Sequence, residues 1–224
     1  SLIYLDQMNR IGLTPHTDLL SKRLEDNLSD KEHKLFGFIA NSSNRLLRTV
    51  DSILNISQLE AGTINIQPRE LDLASMVMQI FNELKPLADQ KNLEFNLKSS
   101  EQLVMILADE YCIRQAISNI MENALKYTFE GSVMVSLARR NNQEVLKVTD
   151  TGIGISKEYQ HRIFDAYTQE SEGFTKNYQG IGLGLALTKQ YLDLNNIEIE
   201  MESKKNIGST FTMIFPKDRE NKDV

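Results

Sequence analysis

The chain has 224 residues, 41% of them hydrophobic and 25% charged, enough for one large domain or two small ones. Its 25 Lys+Arg against 31 Asp+Glu give a net charge of −6, which excludes a polybasic nucleic-acid binder; the apolar share excludes a disordered tail or a fibre. A single cysteine, Cys112, allows no disulfide within the chain and fits a reducing compartment, and no apolar run approaches the ~20 residues that span a bilayer. The first ten residues lack a leader pattern, so the sequence reads as a soluble, cytoplasmic segment without membrane contact of its own.

From the N-terminus, Leu2, Leu5 and Met8 open a helical stripe that Leu19, Leu20 and Leu24 continue beyond Pro15, with a turn expected at Asp26-Asn27. Between Ser29 and Glu60, Leu35, Ile39, Ser42, Leu46, Thr49, Ile53 and Ile56 step by four and three. Phe38, Leu47, Val50, Leu54 and Leu59 widen that seam into the face of a bundle helix. Ser29 with Glu32 has capping-box spacing, which starts the helix near Asp30, and Ala61-Gly62 ends it. Two helices alone bury too little, so residues 1–62 are expected to form a hairpin that dimerises into a four-helix bundle. The alternative is a hairpin packed on its own downstream domain.

After Gly62 the pattern changes. Thr63–Leu73 reads as a strand, Asp72–Asn92 as a helix, Leu93–Lys98 and Val104–Ala108 as strands, and Glu110–Tyr127 as a helix. Ser132–Ala138 and Glu144–Asp150 alternate like paired strands around Arg140-Asn141-Asn142. A helix at Gly184–Asn195 and strands at Ile197–Ser203 and Thr210–Phe215 follow. The order implies an α+β fold: the helical hairpin, then an α/β sandwich over residues 63–217 with one mixed sheet covered on one face by helices, and a charged tail at 218–224.

Four clusters in the second region carry chemistry together, though each alone reads as ordinary surface or turn. Asn119, Asn123 and Lys126 lie at i, i+4 and i+7 on one helix face; the Asn123 amide oxygen suits Mg²⁺ and the Lys126 ammonium can neutralise phosphate. Asp150, followed by Gly152 and Gly154, puts a carboxylate at a strand end where a ligand amine can approach the backbone. Gly180, Gly182 and Gly184 run directly into a helix, exposing N–H groups to an anion, in a spacing that is neither the dinucleotide fingerprint nor a P-loop. Gly208-Ser209-Thr210 forms a turn before the final strand.

In this order the clusters closely resemble the asparagine box, the two glycine boxes and the final glycine turn of sensor histidine kinases, within the GHKL ATP-binding superfamily. Ile163–Tyr167 resembles that family's phenylalanine box and Glu170–Gln179 its mobile lid, so the likeness runs from Arg69 to Pro216. Asn41–Leu47 and Ser57–Gly62 are similar to the second helix of the kinase dimerisation and phosphoacceptor domain. The resemblance implies a Bergerat-type fold binding ATP and Mg²⁺, a homodimer, and a response-regulator receiver domain as partner. It also implies that Asp150 recognises the adenine amino group, that Gly152 and Gly154 shape the pocket, and that Asn123 holds Mg²⁺. Asn119, Lys126 and Tyr127 then contact phosphates or ribose, and Gly180, Gly182 and Gly184 hinge the lid and meet the phosphates, with Leu183 and Leu185 beside them. Thr210 supports adenine hydrogen bonding, and Arg162 and Lys176 are lid cations; Gln169 stands where the family often has an arginine.

One part departs from the family. Its phosphoacceptor motif is His-Glu-x-x-Thr-Pro, and before Thr14-Pro15 this sequence has Arg10 and Ile11 in place of the histidine and its acidic neighbour. Of the three histidines, His16 is the candidate acceptor; His33 lies near the turn, and His161 reads as a surface residue. Three functions compete: a histidine kinase core, a pseudokinase that signals by shape, and a gyrase- or chaperone-type ATPase. The last needs a glutamate base where Asn119 stands, and Glu122 points about 100° round the helix from Asn123.

Overall fold

The computed structural model describes residues 30–100, 103–168 and 182–216. The expected first helix, its turn, His16, the lid segment with Gln169, Lys176 and Gly180, and the charged tail lie outside the described residues. The chain divides between Ser57 and Gln58 into two compact units.

Helix α1 (Asp30–Glu60), most of it in the first unit, runs for 31 residues, with the start and stop expected from the sequence. It ends in a Schellman pair: the Gly62 amide donates to the Leu59 carbonyl and the Thr63 amide to that of Gln58, both at 3.0 Å, with Gly62 at φ +63°. Leu35, Ile39, Leu46 and Ile53 of the heptad seam are all exposed in the single chain.

The second unit contains β1 (Arg69–Asp72), α2 (Leu73–Gln90), β2 (Glu94–Ser99), β3 (Met105–Ala108) and α3 (Glu110–Tyr127). Then follow β4 (Ser132–Arg140), β5 (Gln143–Asp150), the single turn α4 (Lys157–Gln160), α5 (Gly184–Leu194), β6 (Glu198–Lys204) and β7 (Gly208–Ile214). Five strands form one mixed sheet in the order β2-β4-β5-β7-β6, parallel only between β2 and β4. β4 and β5 join through Asn141 and Asn142, both at positive φ, the turn whose twist matches a tight hairpin.

Two expectations are corrected. The sheet is not alone: β1 and β3 pair antiparallel as a separate two-stranded sheet. The strand expected over Thr63–Leu73 is also shorter, because only Arg69–Asp72 finds a partner, opposite Met105–Ala108. Asp72 ends it by capping α2: its Oδ1 accepts from the amides of Ala74 and Val104, each at 3.1 Å. Burial alone would raise this carboxyl's pKa, but bonds from the Ser75 hydroxyl and the Val104, Ser75 and Ala74 amides hold it below the ordinary range.

The core lies between the five-stranded sheet and the helices. Val133, Val135 and Leu137 of β4, Leu146 and Val148 of β5, and Phe211 and Met213 of β7 meet Val77 and Ile80 of α2, Ile117, Ile120 and Met121 of α3, and Leu192 of α5. The alternation along each strand gives one face to this core, and that register decides where Asp150 goes.

Candidate functional site

The inward positions of β5 are Leu146, Val148 and Asp150, so Asp150 occupies a core register with 7% exposure. Its Oδ1 accepts the amides of Gly152 at 2.9 Å and Ser209 at 3.3 Å. Among the described residues, both of these hydrogen bonds fall on Oδ1. Burial pushes the Asp150 pKa up, and the two amides offset only part of that shift. A buried carboxylate is a strong acceptor for an N–H donor.

The loop after Asp150 is stitched on both sides. The Ile153 amide donates to the Tyr127 carbonyl at the end of α3 (3.2 Å), and the Asn206 amide donates to the Ile153 carbonyl (2.7 Å). A Cβ on Gly152 would stand 2.4 Å from the Tyr127 carbonyl oxygen. Gly154, at φ +60°, would bring a Cβ within 2.0 Å of the Lys204 carbonyl oxygen. Behind the loop, Ser203 Oγ accepts the Ile155 amide at 2.8 Å and pairs with Ser209 Oγ at 2.9 Å. Thr210 sits one register on: its hydroxyl pairs with that of Thr149 at 3.1 Å, while the neighbouring Ser209 reaches Asp150.

Asn119, Asn123 and Lys126 come together on α3, which Asp109 starts by accepting the Cys112 amide at 3.0 Å. Asn119 bridges two helices. Its Nδ2 donates to Thr188 Oγ1 of α5 at 2.8 Å, and its Oδ1 lies 2.5 Å from where a Cβ on Gly184 would stand. Asn123 turns its Nδ2 toward Asn119 Oδ1 at 3.5 Å, so the amide on Asn123 is held beside the one on Asn119. Lys126 Nζ sits 4.8 Å from the centroid of the half-exposed Tyr127 ring. Among the described residues, no group of three or more His, Cys, Asp or Glu side chains is arranged to hold a metal.

Of the glycine run, Gly182 stands at φ +75° with its carbonyl accepting the Tyr167 amide at 3.0 Å; Leu183 is buried and Leu185 packs against the core. Gly184 opens α5. Ile163 and Phe164 reach the core, and Arg162 pairs with Asp165 at 3.6 Å.

Four residues escape a reading of the sequence. Ser209 contributes an amide, which no side-chain pattern reveals. Thr188 lies on a helix face that looks apolar until Asn119 meets it. Lys91, at the end of α2, sends its ammonium to carbonyls at the end of α3. Asp109 caps α3 and also accepts the Gln67 amide at 2.9 Å, a contact that is purely tertiary.

Residues 108–219, half of the chain, match the family described as histidine kinase-, DNA gyrase B- and HSP90-like ATPases. The chain is 33% identical over 192 residues to the circadian input-output histidine kinase CikA of Synechococcus elongatus, covering 84% of this chain and 26% of that protein. It is 30% identical over 206 residues to the sensor histidine kinase RcsC of Escherichia coli K12, covering 92% of this chain and 21% of that one. The chain therefore spans about a quarter of the length of these curated relatives. Full-length ShkA, crystallised with AMPPNP, superposes with a TM-score of 0.71 at 25% identity, over 95% of this chain and 45% of ShkA. With its buried carboxylate, asparagine face and glycine-led helix, the chain belongs to the histidine kinase-, DNA gyrase B- and HSP90-like ATPases, and it is similar to sensor histidine kinases over most of its length.

Proposed function

We propose that this chain is the cytoplasmic core of a two-component sensor histidine kinase. It binds Mg-ATP in the second unit, passes the γ-phosphate to a histidine for relay to a response-regulator aspartate, and works as a homodimer through the seam of α1. The observation that carries the nucleotide assignment is Asp150: a buried carboxylate that takes both backbone amides on Oδ1 and, in this reading, an exocyclic amine on Oδ2. Discrimination follows, because a base that presents a carbonyl there meets a carboxylate lone pair and leaves both unpaired.

Asn123 offers a single hard oxygen, which fits a metal that arrives with its own phosphate oxygens and waters; Mg²⁺ bound there supplies neutralisation of phosphate charge. Lys126 leaves the Tyr127 ring to add a second positive charge, and the glycine-led start of α5 presents amides to the same anion. Phosphoryl transfer needs little covalent chemistry from the protein beyond such positioning. The ATPase reading is disfavoured because Asn119 has no basic lone pair and is tied to Thr188, while Glu122 Oε1 accepts from Ser118 Oγ at 3.2 Å.

A second reading, a nucleotide-responsive pseudokinase, is favoured by one observation: Arg10 and Ile11 occupy the histidine and acid positions before Thr14-Pro15. A guanidinium stays protonated and is no nucleophile, which leaves His16 as the acceptor candidate. Calorimetric titration with a non-hydrolysable ATP analogue, with and without Mg²⁺, tests the shared core of both readings; binding strengthened by Mg²⁺ is expected, and its absence refutes both. Labelled ATP separates them. Acid-labile phosphate that disappears in His16→Ala supports the kinase, and bound nucleotide without label supports the pseudokinase.

A further inference from the structure

The C-terminal turn of α3 is accounted for carbonyl by carbonyl, and one side chain supplies much of the account. The Ala124 carbonyl accepts the Thr128 amide at 3.2 Å and the Thr128 hydroxyl at 2.7 Å. The Tyr127 carbonyl accepts the Ile153 amide from the loop beyond Asp150. The two carbonyls between them, of Leu125 and Lys126, belong to the set that a helix end leaves unpaired. Both accept from the Lys91 ammonium, that of Lys126 at 3.3 Å, and the same Nζ reaches the Thr128 carbonyl at 2.9 Å. The Phe129 ring covers it, with its centroid 5.6 Å away. Lys91 is itself the cap of α2, its amide donating to the carbonyls of Ala88 and Leu87, so one residue closes two helices.

We propose that Lys91 is a positioning residue of the nucleotide pocket: its ammonium clamps the end of α3 and thereby sets where the Tyr127 carbonyl holds the loop of Gly152 and Ile153 beside Asp150. The inference rests on the nucleotide reading above. A cation fits this place for two reasons: three carbonyl dipoles converge on it, and the helix end carries partial negative charge. The tolerance is small, because Gly152 meets the Tyr127 carbonyl with no room for even a methyl group. Movement of the helix end therefore passes directly into the loop. Lys91 touches no ligand in this scheme; it acts through Tyr127, Gly152 and Ile153.

The role predicts a pattern distinct from that of the metal end. Lys91→Met keeps the aliphatic stem and removes the charge, Lys91→Gln keeps one donor group, and Lys91→Arg keeps the charge. Affinities for ADP and for a non-hydrolysable ATP analogue are measured with and without Mg²⁺, at a temperature where circular dichroism shows each variant folded. Hydrogen exchange at the Ile153 amide is followed in parallel. The expected result is a loss of about three- to tenfold for K91M or K91Q, equal for both nucleotides and independent of Mg²⁺. Faster exchange at Ile153 should accompany it, and K91R should lie within about twofold of the unmutated chain. A folded K91M or K91Q that binds like the unmutated chain overturns the proposal, as does a loss confined to Mg-ATP. Failure of the unmutated chain to bind either nucleotide overturns the nucleotide reading itself.

Discussion

The two ends of the site are built on different plans. Around Asp150, the contacts come mainly from the backbone: amides of Gly152, Ser209 and Ile153 and carbonyls of Tyr127 and Lys204, drawn from strands, stitched turns and the end of α3. Around Asn123, side chains do the holding: Asn119 on Thr188, Asn123 on Asn119, Lys126 over Tyr127. A backbone-built end has its shape before a ligand arrives and loses little entropy on binding, whereas side-chain amides and an ammonium can re-aim as charge arrives. The contrast suits the proposed nucleotide, with a flat, invariant base and a charged phosphate tail.

The largest expected effect tests the rigidity of the first end. Gly154→Ala forces a positive φ on alanine and drives its methyl into the Lys204 carbonyl, costing about 1–3 kcal/mol and lowering Tm by several degrees in a thermal melt. Nucleotide affinity should fall with it. An unchanged melt would mean that this loop yields easily and the contrast between the ends is false.

Next comes the second end. Asn123→Ala should abolish the strengthening of ATP binding by Mg²⁺, a loss on the order of tenfold in calorimetry, while leaving metal-free ADP binding nearly intact. Equal losses with and without metal would move Asn123 into the adenine end. A smaller effect sharpens the picture: Thr188→Val keeps the shape but removes the acceptor for Asn119, and should cost about two- to fivefold in Mg-ATP affinity. Binding unchanged by Thr188→Val would show that the bridge between α3 and α5 is dispensable.

The smallest effect concerns stability and carries an unusual sign. Burial raises the Asp150 pKa in the folded state, so its ionised form costs folding free energy above that folded pKa and costs nothing below the unfolded one. Asp150→Asn should therefore raise Tm slightly at neutral pH. The gain should shrink as pH falls through the raised folded pKa toward the ordinary carboxylate range. A variant less stable than the unmutated chain at neutral pH would show that the carboxylate is structurally required.

Legibility in the sequence divided along similar lines. α3 was readable end to end because its apolar period is local, and α1 because a capping-box spacing and a glycine stop bracket its heptads. The two-stranded sheet was not: Val104–Ala108 reads as a strand and β3 agrees with it, but its pairing with the four-residue β1 crosses more than thirty intervening positions. Among the candidate site residues, the side chains with a marked spacing or neighbourhood in the sequence stood out, as with Asp150, Asn119 and Asn123. Supporting groups did not: the Ser209 amide, the Thr188 hydroxyl and the Lys91 ammonium act through tertiary contacts that no spacing encodes. Thr210 illustrates the difference, since one step of strand register puts its hydroxyl on Thr149 and gives Asp150 to its neighbour.

The central claim is that the buried Asp150 carboxylate receives the amino group of adenine. Calorimetric titration of the Asp150→Asn variant with a non-hydrolysable ATP analogue tests it most directly, because the substitution keeps volume and the Oδ1 acceptor while removing the charge. A charge-assisted hydrogen bond contributes about 1.5–3 kcal/mol, so affinity should weaken roughly ten- to hundredfold in a variant whose fold is retained. Unchanged affinity in that folded variant would contradict the assignment.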